Sequence, residues 1–339
     1  MLDIVGKRGW YFLFSGVIIL AGLISLILPP GWLSFESGLK PGIDFSSGSA
    51  LSITFDRAIS EERIKERLDA LGHPEALIQK SGSRAVFIRT KLLAEDAPGT
   101  LSRPDCIEDG LSERACIEKD LDEFVAPIQG VEFESVSPIV AAETVRTAFY
   151  ALLAASVFIL LYIWYAFRRV PRSYRYGVSA ILALVHDLLI ILGVFSILGK
   201  VIDMEVNSMF IVGLLIVAGY SVNDTIVIFD RIRENVTRHT DRPLGPIVNM
   251  SILESMGRSL NTSFTTLFVL LAMLLIGGPS IRELLLVLAI GAIVGTYSSI
   301  FIASQFLVIW ERGEIGRVLG RGRRSSAAAG TALLHLFGR

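Results

Sequence analysis

Six apolar stretches recur along the chain, and each is long enough to cross a bilayer, because roughly 20 apolar residues span the hydrocarbon layer. The six windows are Tyr11–Pro29, Thr147–Phe167, Tyr176–Leu198, Val206–Phe229, Leu260–Gly277 and Leu285–Trp310. The first window is longer than the apolar core of a signal peptide, and no small-residue cleavage site follows it. The pattern therefore predicts an α-helical membrane protein with six spans.

A different pattern fills residues 31–146, between the first two windows. Short alternating stretches typical of strands are interrupted by two amphipathic stretches typical of helices. The predicted elements are a strand at Ser49–Phe55, a helix from Ser60 to Leu71, strands at Ala76–Gln79 and Ala85–Arg89, a helix at Glu113–Ile128 and a strand at Val131–Val140. The order βαββαβ is that of a ferredoxin-like α+β domain. The insertion at Lys91–Glu113 contains several glycines and prolines and is expected to be irregular.

Arginines mark one side of the membrane. They precede the first span, fill the short connections after the second and fourth, and follow the sixth, whereas the other two short loops hold only Lys200 and Arg282. By the positive-inside rule, both termini are cytoplasmic and the long connection lies outside. The expected segments are residues 1–30 (N-terminus and first span), 31–146 (the ferredoxin-like domain, periplasmic in a Gram-negative cell), 147–310 (the other five spans of the bundle) and 311–339 (a basic, disordered cytoplasmic tail that can touch anionic lipid).

Composition agrees with a membrane protein that also carries a folded domain. Apolar residues make up 52% of the chain and the mean hydropathy is +0.58, which excludes an ordinary soluble domain. A net charge of −1 gives no indication of nucleic-acid binding. Both cysteines, Cys106 and Cys116, lie in the segment expected outside, where disulfides form. We expect a bridge that fastens the insertion to the second helix, with two unpaired thiols as the alternative. No cofactor or metal is expected.

The fourth window contains a carboxylate. Asp224 is expected inside the membrane, because four apolar residues follow it before the charged segment begins. An aspartate at the centre of a span costs ~2.5–3.5 kcal/mol and usually faces a protein interior or a water-filled path. Tyr220, Asn223 and Thr225 surround it with polar groups. A functional role is the first hypothesis, and the alternative is a side chain that reaches out to the cytoplasmic headgroups.

Other spans carry polar residues that can join Asp224. His186 and Asp187 lie near the middle of the third span, and Arg258 and Thr262 lie one turn apart where the fifth begins. The simplest bundle places these groups around one polar interior, with hydroxyls or water between them. The predicted proton path consists of Asp224, Arg258, His186, Asp187, Tyr220, Asn223, Thr225 and Thr262. A static salt bridge between Asp224 and Arg258 is the alternative. No P-loop, nucleophile elbow or HExxH motif is present, so a hydrolytic enzyme is not expected.

Several stretches resemble one known family. The sequence GIDFSSG after the first span resembles the G-[LIV]-D-F-x-G-G motif of the SecD/SecF family, with Gly42, Asp44, Phe45 and Gly48 at matching positions. Ser47 departs from the motif, since the family often has glycine there. The VHD of the third span, the GYSVNDTIVIFDRIREN of the fourth and the GRSLNTSFTT of the fifth resemble the SecF branch and not SecD.

The resemblance implies an RND-like six-helix bundle in the bacterial inner membrane. It implies that the bundle pairs with SecD and joins the SecYEG channel, with YajC and YidC as further candidate partners. The complex would use the proton-motive force to draw unfolded preproteins outward on the periplasmic side, so the chain would be a transport subunit and not an enzyme. Asp224 and Arg258 would be the charges that matter for proton flow.

Two other classes of function stay open. An RND-type exporter of small molecules or lipids usually has two six-helix halves in one chain, whereas this sequence has one half and one ferredoxin-like unit. A passive scaffold subunit of a membrane complex would tolerate neutralisation of Asp224.

Overall fold

The computed structural model describes residues 3–27, 38–93, 110–168, 170, 172–202, 204–276 and 281–311. Within these residues six helices are long and apolar enough to cross a membrane, which confirms the prediction of six spans. In order they are Arg8–Ile27, Pro138–Ala166, Tyr174–Ile202, Ser208–Arg238, Leu244–Ile276 and Arg282–Glu311. The sixth span contains a π-helical turn at Ser299–Ala303. The tail that was expected to be disordered lies outside the described residues.

Two of the helices extend well beyond their apolar windows. The fourth span continues through its charged end, where Glu234 pairs with Arg231 at 2.5 Å and with Arg238 at 2.6 Å. Such pairs, three or four residues apart, stabilise an exposed helix. The second span begins at Pro138 and not near Thr147, because the Ser137 hydroxyl accepts a first-turn N–H and proline needs no such partner. The preceding strand, predicted to end at Val140, therefore ends earlier, at Val136.

The third, fourth and sixth spans form the interior of the bundle. Small residues allow the fourth and sixth to approach closely: a Cβ added to Gly291 would lie 2.2 Å from a methyl group of Val217. A Cβ added to Gly213 would lie 2.8 Å from Val287 in the same way. The second and fifth spans bury far fewer of their residues within this chain. Polar groups on the third, fourth and sixth spans are consequently sealed between helices.

The α/β domain is a separate compact unit, made of Pro41–Tyr150 together with Glu205–Ser208. Its strands are β1 (Gly48–Phe55), β2 (Leu77–Ser81), β3 (Ala85–Thr90) and β4 (Ile128–Val136). The two helices of its βαββαβ motif are Glu61–Ala70 and Glu113–Phe124. The strands pair antiparallel in the order β2-β3-β1-β4, which is the ferredoxin-like arrangement that the sequence predicts.

The core of this domain follows from the alternation along its strands. Leu51 at the centre of β1 lies opposite Ile88 on β3 and Phe133 on β4. Leu51 and Ile88 are fully buried, as are Leu68 and Leu121 on the two helices. Burying one such side chain contributes about 1.5–3 kcal/mol, so the contact of the strand face with the two helices stabilises the unit.

The second helix of the domain agrees with the prediction at its cysteine and differs from it at its end. Cys116 is buried and disulfide-bonded, which contradicts the alternative of two unpaired thiols. Cys106 and the rest of residues 94–109 lie outside the described residues. The helix stops at Phe124 and not at Ile128, because the Ile128 N–H turns to the Asp122 carboxylate at 2.7 Å and begins β4.

Candidate functional site

Asp224 lies inside the bundle, on the fourth span, with 3% of its surface exposed. Its Oδ2 accepts hydrogen bonds from the Ser263 hydroxyl of the fifth span and the Thr296 hydroxyl of the sixth, each at 3.4 Å. These two hydroxyl oxygens are 2.5 Å apart, and the half-buried Tyr220 hydroxyl donates to Ser263 at 3.3 Å. Among the described residues no cation pairs with Asp224. The carboxylate is therefore held by neutral groups from the fifth and sixth spans.

Asp187 forms a second buried carboxylate site on the third span. Its Oδ1 lies 2.9 Å from Nδ1 of His186, and its Oδ2 accepts from Ser221 of the fourth span at 2.5 Å and from Ser298 of the sixth at 2.8 Å. Asp187 is fully buried and His186 is 7% exposed. The other imidazole nitrogen, Nε2, has no hydrogen-bond partner among the described residues.

Hydroxyl groups connect the two carboxylate sites along the fourth and sixth spans. Thr225, next to Asp224 in the chain, lies 2.8 Å from the Ser299 hydroxyl and also donates to the Ser221 carbonyl at 3.2 Å. Ser299 begins the π-helical turn, a distortion that often occurs at functional sites. A Cβ at Gly295 would lie 3.0 Å from Cβ of Ser221, so glycine is needed for this approach. The fourth and sixth spans thus share buried polar contacts next to both carboxylate sites.

The structure does not bring Arg258 to Asp224. Arg258 is exposed, and the hydroxyl of the exposed Thr262 bonds to the Arg258 carbonyl at 3.0 Å and not to a carboxylate. The buried face of the fifth span carries Ser259 and Ser263 instead, and at about 100° per residue this turns Arg258 away. The predicted grouping of Arg258 and Asp224 in one interior, and the ion pair between them, are therefore wrong for this structure. Asn223 is likewise exposed.

The sequence missed most of the hydroxyl partners of the carboxylates. Ser263, Thr296, Ser298 and Ser299 all lie in spans and are all buried. Their position within apolar spans was the available signal, but serine and threonine are common enough in spans that it has little weight alone. Among the described residues no group of three or more His, Cys, Asp or Glu side chains could hold a metal ion.

The family motif after the first span lies at the start of the fourth span. The Asp44 carboxylate accepts the Ser208 N–H at 2.6 Å, and the Gly42 N–H donates to the Val206 carbonyl at 2.8 Å. A Cβ on Gly42 would lie 3.0 Å from that carbonyl oxygen, which explains the glycine. Phe45 is half-buried in the short turn that follows. The motif therefore fixes the residues that begin the helix of Asp224.

An ion pair also holds the residues that precede the fourth span. Arg89 of β3 pairs with Glu205, and both side chains are largely buried. Burial lowers the pKa of the Arg89 guanidinium, but an arginine stays protonated at physiological pH, so the pair is ionic. Gly48 begins β1 with a φ of 138°, a conformation that favours glycine. Ser47 has a φ of 62° without being glycine, so the departure from the motif is a strained position.

Comparison with known proteins gives a consistent family. The family model for the protein export membrane protein SecD/SecF, C-terminal, matches residues 116–313. The protein translocase subunit SecF of Thermobaculum terrenum is 39% identical over 97% of this chain and 100% of its own length. The SecF of Anaerolinea thermophila is 33% identical over the same shares of the two chains.

Solved structures agree with the sequence relatives. The crystal structure of SecDF from Thermus thermophilus, a translocon-associated membrane protein, superimposes with a TM-score of 0.74 at 29% identity. A SecDF crystal structure in a super-membrane-facing form gives a TM-score of 0.61 at 28% identity. The matches cover 92% and 94% of this chain but only 39% and 40% of the SecDF chains, so this chain spans about two fifths of their length. The chain belongs to the SecF family of protein translocase subunits.

Proposed function

We propose that this SecF subunit works with SecD to convert the proton-motive force into export of preproteins. The observation that carries the proposal is the buried Asp224 carboxylate, which is held by the hydroxyls of Ser263 and Thr296. A hydroxyl can donate to a carboxylate and accept from a carboxylic acid, so the same two partners serve both protonation states. A carboxylate within the membrane that faces a polar interior is by default a site of proton transfer.

The second carboxylate extends the proposed route. Ser221 donates to Asp187, and its backbone carbonyl accepts from Thr225, the neighbour of Asp224. We propose that protons pass between the two carboxylates through these hydroxyls and intervening water, with His186 as an additional titratable group. Moving one charge through 100 mV releases about 2.3 kcal/mol, so a few protons suffice to drive a modest domain movement.

The joint at Asp44 offers a way to transmit that movement. The fourth span carries Asp224 and begins at Ser208, whose N–H is held by Asp44. Glu205–Ser208 belongs to the compact unit of the α/β domain. A tilt of the fourth span on protonation of Asp224 would therefore pull on that domain, which we propose handles the emerging preprotein on the periplasmic side.

A polar stripe on the fifth span favours a partner bundle. The side chains of Arg258, Asn261, Thr262 and Thr265 are exposed and lie three or four residues apart, on one face of the helix. Such a face is costly against lipid, so another protein surface should cover it. We propose that SecD, the other half of the longer SecDF chains, covers this stripe, and that Arg258 acts in proton flow at that contact. Association with SecYEG, location in the bacterial inner membrane and cytoplasmic termini complete the proposal.

The test is to remove titration at Asp224 without changing its size. Inverted membrane vesicles with the Asp224→Asn subunit should lose the part of preprotein export that depends on the proton-motive force, while the level of the subunit stays normal. Asp230→Asn is the matched control, because Asp230 is exposed on the same helix and forms an ion pair with Arg233. If Asp224→Asn vesicles respond fully to collapse of the proton gradient, the proposal fails and a scaffold role is favoured.

A further inference from the structure

A basic cavity lies where four spans end on the arginine-rich side of the bundle. Its volume is about 210 Å³. It is bounded by the beginnings of the third and fifth spans and the ends of the fourth and sixth. Its polar lining consists of Arg172, Arg175, His239, Thr240, Arg242 and Glu311. The proton route described above uses none of these residues.

The charge of the lining is unbalanced. Glu311 accepts hydrogen bonds from Arg172 at 2.9 Å and from Arg175, so a single carboxylate serves two guanidinium groups. Arg242 adds a third guanidinium that forms no ion pair with any described residue. Three guanidinium groups therefore face one carboxylate. The Nε of Arg175 is buried and has no hydrogen-bond partner in the described part of the chain. The cavity therefore carries more guanidinium charge than its one carboxylate balances.

The remaining lining is apolar, and this favours an anionic lipid over a free inorganic anion. Tyr176 and Leu307 contribute buried side chains, and the other apolar residues are Val170, Val236, Leu244 and Ile247. A free inorganic anion gains nothing from such a surface, whereas the glycerol and first acyl carbons of a lipid would pack on it. Basic pockets between span ends on the cytoplasmic side suit anionic lipid headgroups. The basic part and the apolar part of the lining therefore both fit a single amphiphilic lipid.

We propose that this cavity binds the phosphate headgroup of an anionic phospholipid such as phosphatidylglycerol. The phosphate lies among the guanidinium groups of Arg172, Arg175 and Arg242. The apolar lining contacts the glycerol region. A bound headgroup joins the ends of four spans, including the fourth and sixth, which carry the hydroxyl groups around Asp224.

The experiment titrates the full chain, purified from membranes in neutral detergent, with phosphatidylglycerol and counts bound lipid by native mass spectrometry. One phosphatidylglycerol should be retained where phosphatidylcholine dissociates. Arg242→Gln and Arg172→Gln should each weaken this binding by about fivefold. The matched control is Arg168→Gln, which removes the same charge from the same side at an exposed residue that does not line the cavity. Thermal unfolding in lipid-free detergent verifies that the variants are folded.

Three results would overturn the proposal. Equal weakening by Arg168→Gln would mean that the lipid responds only to the general positive surface. Competition by inorganic phosphate alone at the affinity of the lipid would mean that the cavity holds a free anion and that its apolar lining is irrelevant. Retention of phosphatidylglycerol and phosphatidylcholine to the same extent would mean that no headgroup site exists.

Discussion

The Asp44 carboxylate accepts the backbone N–H of Ser208 at 2.6 Å, at the first residue of the helix that carries Asp224. The first N–H groups of a helix lack partners within it, and a carboxylate there also interacts favourably with the helix dipole. Asp44 lies far away in sequence and belongs to the motif after the first span. The motif thus acts as a cap supplied from elsewhere in the chain.

Asp44→Ala should weaken this joint. We expect a loss of ~0.5–2 kcal/mol in stability, as for other helix caps, together with a reduced response of export to the proton-motive force. Asp44→Asn should keep most of both properties, because an asparagine oxygen caps nearly as well as aspartate. Thermal unfolding and vesicle export measure the two effects.

Asp56→Ala serves as the control for the joint, since Asp56 is an exposed carboxylate just after β1 in the same domain. It should leave both measurements near those of the unchanged protein. If Asp44→Ala matched Asp56→Ala in export, the contact with Ser208 would have no part in coupling.

Replacing Ser47 with glycine should stabilise the protein. Ser47 has φ 62° and ψ 159°, a combination that glycine adopts readily and other residues adopt at a cost of order 1–3 kcal/mol. Part of that gain is offset by the greater freedom of glycine in the unfolded chain, so we expect about 1 kcal/mol. Ser47→Ala keeps the Cβ and should not stabilise. A melting temperature for Ser47→Gly no higher than that for Ser47→Ala would contradict the strain argument.

The fold was largely predictable because its signals are long and periodic. The apolar windows required helices, and the alternation in Ser49–Phe55 together with the two amphipathic stretches required a βαββαβ domain. The errors lie at the first and last residues of helices and strands, because local contacts determine where an element begins and ends. The Ser137 hydroxyl accepts an N–H of the first turn of the second span, which therefore begins at Pro138. The Asp122 carboxylate accepts the Ile128 N–H, so the second helix of the α/β domain ends earlier than predicted.

The site was predictable only in part. A carboxylate in an apolar span is costly enough that Asp224 and Asp187 could be singled out one by one. Their partners depend on which face of each helix turns inward. That rotation is set by packing against the other helices, which the sequence of one helix does not reveal. Arg258 illustrates the difficulty: the fifth span turns Ser259 and Ser263 inward and leaves Arg258 exposed.

Labelling of single cysteines should establish the orientation of the chain. Ser83 is exposed in the hairpin of the α/β domain, and Ser83→Cys should react with an impermeant reagent in intact cells from which the outer membrane barrier has been removed. Thr237, exposed at the arginine-rich end of the fourth span, should react as Thr237→Cys only after the membrane is opened. Ser173, otherwise the natural choice on that side, is 8% exposed and unsuitable. The native disulfide at Cys116 can stay, since it does not react without reductant. The opposite labelling pattern would reverse the predicted topology.

Removing the Thr296 hydroxyl should impair proton coupling without disturbing the fold. Thr296→Val keeps the shape of the side chain but leaves Asp224 with one fewer donor, and a hydrogen bond to a charged group contributes ~1.5–3 kcal/mol. We expect the export that depends on the proton-motive force to fall by about tenfold, while Thr296→Ser, which keeps the hydroxyl, stays near the original rate. Thr237→Val makes the same chemical change at an exposed position near the end of the fourth span and should have little effect on export. Equal export by Thr296→Val and Thr296→Ser would mean that the hydroxyls around Asp224 only pack the helices, and proton transfer would then have to proceed through water alone.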